Sequence, residues 1–95
     1  MEPLREDETL LQGFWLDLGS RMVPDANWER INQLIAGHLE LLARGSAGSS
    51  LHRDPTDGRY WEKTPVAASL PEGPPRLENI SPEQARSRYP EWAAP

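Results

Sequence analysis

The chain is short and acidic, with 95 residues and a formal net charge of −5; only 37% of its residues are hydrophobic, and it has no cysteine. That size suits one domain with a small core, burying roughly 60–65% of the surface its unfolded chain exposes. The acidity argues against sequence-independent nucleic-acid binding, which needs Lys and Arg to neutralise phosphates, and the lack of thiols excludes a disulfide framework and a thiolate zinc site.

In chain order, residues 1–9 read as a flexible acidic lead-in, with Glu2, Glu6, Asp7 and Glu8 against Arg5. They contain no apolar run of the kind a signal peptide carries. Nowhere does an apolar stretch approach the roughly 20 residues of a membrane span, so a cytoplasmic location with no membrane partner is expected. Leu10 to Leu18 is strand-like. Leu10, Phe14, Leu16 and Leu18 share one face and Trp15 takes the other, with Gly13 weakening the pattern. Gly19-Ser20 is a turn, and Met22-Val23 a second short strand.

Asp25 is placed to cap a helix. Trp28, Ile31, Leu34 or Ile35, His38 or Leu39, and Leu42 recur at helical spacing, which predicts a helix running to Gly45. Ser46 to Ser50 is a loop. Leu51-His52-Arg53, the turn Asp54-Pro55-Thr56-Asp57-Gly58 and Arg59 to Thr64 read as a hairpin, with Gly58 in the position that needs positive φ. Of the neighbours Tyr60 and Trp61, one is expected to pack against the helix. Pro65 to Pro75 is a loop, and Arg76 to Ile80 alternates as a half-buried strand does. Ser81, Pro82 and Gln84 form a capping box opening a short helix that ends before Pro90. Residues 90–95 read as a flexible tail, with Trp92 able to dock.

The fold expected is α+β: a small antiparallel sheet, one long helix packed across it and a short C-terminal helix, in a single domain over residues 10–89.

Catalytic signatures are missing. There is no phosphate-binding glycine loop, zinc-protease helix or nucleophile elbow. His38 and His52 are the only histidines. His52 beside Asp54 or Glu62 would be the one conceivable general base, and the hairpin turn lacks the alternating oxygens of a calcium loop. No catalytic residue, cofactor or metal is expected. Glu62 lies on the face of Tyr60, within cross-strand reach of Arg53 or Arg76. Arg and aromatic residues concentrated around 53–76 are the types that dominate protein–protein hot spots.

The string Arg53-Asp-Pro-Thr-Asp-Gly-Arg-Tyr-Trp-Glu62 carries a resemblance. With Gly73-Pro-Pro-Arg-Leu77, Ile80-Ser81, Leu11-x-Gly13-x-Trp15 and Val23-x-Asp25, it resembles the immunity protein 27 family of bacterial polymorphic-toxin systems. After Glu62 the chain departs from the pattern: Thr64-Pro65 replaces a Thr-Tyr-Pro, and a glycine run shrinks to Gly73. The resemblance implies an α+β fold and a cytosolic antidote that binds a cognate toxin domain, a basic nuclease being one class that the acidic charge suits. Glu29, Glu40, Asp57 and Glu78 are candidates to meet such a surface. The motif makes Arg53, Asp54, Asp57, Arg59, Tyr60, Glu62 and Arg76 candidate partner-binding residues, in a monomer or weak dimer. The alternatives are a general protein-interaction module without a toxin partner and, further off, a small hydrolase.

Overall fold

A computed structural model describes residues 2–93. The segment 10–18 is two strands belonging to different sheets. β1 (Leu10–Gln12) joins the main sheet, and β2 (Trp15–Asp17) pairs with β3 (Met22–Pro24) in a separate two-stranded ribbon. The break is at Gly13, whose N–H is bound by the carbonyl of Pro75 at 2.8 Å. A Cβ there would lie 2.9 Å from both Trp28 Cβ and Pro75 Cδ, so the chain can turn off the sheet here only without a side chain.

Helix α1 (Ala26–Gly37) follows. Asp25 caps it, its carboxylate accepting from Trp28 N at 2.9 Å, and the same oxygen accepts from Phe14 N at 3.1 Å. One side chain therefore starts the helix and closes the root of the ribbon. Trp28, Ile31 and Leu34 form the buried stripe. The helix ends at Gly37, not at Gly45, and Glu40–Arg44 is strand β4. Gly37 weakens the helix, and His38 is drawn to the Asp54 carboxylate, Nε2 to Oδ1 at 3.0 Å. Along β4 alternation turns Leu42 to the opposite side from Leu39, and a shift of register between Leu41 and Ala43 brings Ala43 to the same side as Leu42. The step from Leu39 to Leu42 that suggested one helix face instead divides the two leucines between the two sides of the sheet, in an edge strand with a bulge.

β5 (Ser50–Arg53), β6 (Tyr60–Pro65) and β7 (Pro75–Ile80) complete the sheet, ordered β1-β7-β6-β5-β4 and antiparallel throughout. α1 links the two edges across one face, over Leu11, Leu77 and Trp61. Burying Ile31 and Leu34 completely stabilises the fold by about 1.5–3 kcal/mol each. The opposite face carries α2 (Pro82–Arg88) and the short α3 (Pro90–Ala93), packed on Leu51, Ile80 and Tyr60 through Ala85, Tyr89 and Trp92. Both halves of the capping box at Ser81 and Gln84 are made. Strand alternation separates the aromatic neighbours: Trp61 faces α1, and Tyr60 meets Trp92 edge-on with centroids 5.4 Å apart. The fold is α+β, as expected.

The acidic lead-in is tied down at several points. Arg30 grips the Glu8 carboxylate with two bonds of 2.7 Å and also donates to the carbonyls of Glu2 and Pro3. Leu4 packs against the core. Within the expected tail, residues 90–93 are helical, while Ala94 and Pro95, like Met1, lie outside the described residues.

Candidate partner-binding surface

The seven motif residues sit on the β5–β6 hairpin and on β7, and they do different work. Asp54 is 1% exposed. It accepts from Thr56 N at 2.8 Å within its own turn and from His38 at 3.0 Å. Gly58 takes φ +78 there, as the turn demands. Asp57 bonds the backbone and the guanidinium of Arg59 at 3.0 and 2.7 Å. Arg59 is itself consumed. It donates to the carbonyls of Glu8 and Arg5 at 2.8 and 2.9 Å and lies 4.9 Å over the Trp61 ring. It anchors the N-terminal segment to the hairpin.

Glu62 does not pair with Arg53 or Arg76. Its two oxygens accept from Arg88 at 2.6 Å and from the Tyr89 hydroxyl at 2.9 Å, fastening α2 to the sheet. Burial pushes the Tyr89 phenol up to about 12. Arg53 and Asp57 are exposed and Arg76 is half-buried; the two arginines are each in an ion pair, Arg53 with Glu40 at 2.7 Å and Arg76 with Glu78 at 3.2 Å. They share the face that α2 packs on. They lie two strands apart and near opposite ends of the rows Arg53–Tyr60–Ile80 and Thr64–Arg76, so they do not form one patch. Of the acidic residues singled out, Glu40, Asp57 and Glu78 are thus engaged within the chain, and Glu29 stands exposed on the first turn of α1.

The hydrolase constellation is not assembled. His52 is 2% exposed, and its Nε2 is 2.7 Å from Ser50 Oγ. Burial, with Lys63 and Arg44 adding to it, lowers its imidazole to about 4. It opposes Trp61, whose neighbour Glu62 points through the other face of the sheet. Asp54 is taken by His38. Among the described residues no group of three His, Asp or Glu side chains is placed to hold a metal, and no helix is long and apolar enough to cross a membrane.

Residue-type reasoning missed the other exposed feature. Phe14, Trp15, Leu16, Leu18 and Met22 are all exposed on the β2–β3 ribbon. The signal was present in a run of large apolar residues broken by Gly13 and Gly19, but it reads equally well as core.

The model of immunity protein 27 matches residues 17–81. The chain belongs to the immunity protein 27 family. No curated protein and no solved structure matches it. The immunity protein 27 match takes in the last residue of β2, all of β3, α1, the hairpin that holds all but one of the seven motif residues, and β7. In this immunity protein, then, the most distinctive string of the chain, Arg53 to Glu62, is largely a folding device. Asp54, Asp57 and Arg59 shape the turn and moor the N-terminus, Trp61 fills the core, and Glu62 holds α2.

Proposed function

We propose that this chain binds a cognate toxin domain in the cytosol and neutralises it by protein–protein contact, without catalysis of its own. The observation that carries the reading is membership of the immunity protein 27 family. The physical character of the chain is consistent with it. An antidote needs a rigid scaffold and an accessible surface, and no reacting group. The two histidines here are engaged, in contact with Asp54 and Ser50. The net charge of −5 suits a basic partner and would speed encounter with one. Of the motif residues, Arg53, Asp57 and the half-buried Arg76 are accessible enough to join such a contact.

The test is a growth assay. The C-terminal domain of the protein encoded immediately upstream is expressed with and without this chain. Toxicity cured by co-expression, together with a stable complex on a sizing column, is the expected result. A neighbouring domain that is harmless alone, or whose toxicity is not relieved, would remove the reading.

A further inference from the structure

Phe14, Leu18 and Met22 are each 52% exposed, and Trp15 and Leu16 only slightly less. At ~200 Å² for each large side chain, the ribbon exposes on the order of 500 Å² of apolar surface over its two faces together. A stable interface takes about 800 Å² from each partner, and a cleft that encloses both faces of the ribbon would gain more than half of that from it. No other segment of the described chain gathers large exposed apolar side chains so densely.

The ribbon is also held ready. At its root, Phe14 N donates to the Asp25 carboxylate and Asp25 N to the Phe14 carbonyl. Trp15 packs edge-on against the buried Trp28, with centroids 4.9 Å apart. Because Trp15 faces the helix, alternation turns Leu16 and its cross-strand partner Val23 to the other side. β2 and β3 pair only with each other, so both outer edges offer unpaired backbone groups. A preformed ribbon loses little conformational freedom when it docks.

Charge selects among occupants. The ribbon carries one acid, Asp17, and one base, Arg21, and Glu29 is exposed near its root. A second copy would bring two chains of −5 together, whereas a basic partner is attracted. We infer that the β2–β3 ribbon is the element that docks into the toxin domain, entering an apolar cleft with a basic rim. This rests on the antidote reading above and assigns the contact to the ribbon, away from the Arg53–Glu62 hairpin.

The experiment measures binding of the upstream-encoded toxin domain to the full chain, to a Phe14→Ser/Leu18→Ser double variant and to Glu83→Ser on the far side of α2. Melting temperatures serve as the fold control. Both ribbon side chains are exposed, so the double variant is expected to melt as the wild type does. It is expected to bind at least roughly 100-fold more weakly, as the loss of two hot-spot side chains implies, and to lose protection in the growth assay. Glu83→Ser is expected to bind as the wild type. If the double variant binds within about threefold of the wild type, the assignment to the ribbon is wrong and the antidote reading stands. If the wild type itself does not bind, both fall. A wild-type dimer that the double variant dissociates without loss of toxin binding would assign the ribbon to self-association and overturn the inference.

Discussion

Single residues in this protein are placed by what they exclude as much as by what they bind. Gly13 works by having no side chain, since a Cβ would be driven to 2.9 Å from Trp28 and Pro75. Gly13→Ala is therefore expected to destabilise the fold by about 1–3 kcal/mol, the usual cost of overpacking, measured by urea denaturation. Glu62 is a buried carboxylate whose neighbours make it tolerable. Tyr89→Phe removes the 2.9 Å bond from the phenol and leaves Arg88 in place, so a loss of about 1 kcal/mol is expected. That loss should be seen in thermal melts with little change in secondary structure. The turn residues were legible at this scale, because Asp54, Asp57 and Gly58 act within a few residues of one another. The partners of Glu62 were not, since Arg88 and Tyr89 lie 26 and 27 residues away.

Elements follow local rules where the rule is strong. Asp25 and Ser81 cap the helices the sequence assigns to them. Asp25→Ala is expected to cost about 1–2 kcal/mol through the lost cap, and in addition to loosen the ribbon, because the same oxygen holds Phe14. Faster hydrogen exchange at the amides of 14–18 than in the β6–β7 ladder would show it. Exchange that speeds up evenly throughout would mean the ribbon does not depend on this contact. Where the rule is weak, tertiary pairing decides. Leu39 to Arg44 is compatible with a helix face, yet β5 offers an edge and Gly37 a place to leave the helix. Trp92 is on the sheet because Tyr60 gives its ring a partner.

On the scale of the whole molecule, Glu8 and His52 tie stability to pH on the acid side of neutrality. Glu8, gripped by Arg30, titrates at about 2 instead of 4.5. Its contribution is complete above the unfolded value and is lost as pH falls from about 4.5 toward 2. His52, held neutral by burial, titrates at about 4 instead of 6.5. The unfolded chain takes up that proton first, so stability also declines as pH falls from 6.5 to 4. Denaturation midpoints should thus drop steadily below pH 6.5. A His52→Gln variant should flatten the upper half of that decline, and Glu8→Gln the lower half. The Glu8 contact also joins the N-terminal segment, α1 and the hairpin, since Arg59 binds the backbone at Glu8 and Arg5.

By itself the sequence determined the α+β class, the caps and turns, that only one of Tyr60 and Trp61 packs against the helix, and the family. Each of these is written in contiguous residues or short spacings, where local backbone chemistry dominates. Only the tertiary structure decided that residues 40–44 are a strand, that the acidic lead-in is moored by Arg30 and Arg59, and that Arg53 to Glu62 is mostly structural. It also decided that the apolar run 14–22 stands outside the core. Each of these depends on which distant partner a side chain meets. An apolar residue looks the same in sequence whether it fills a core or waits for another protein.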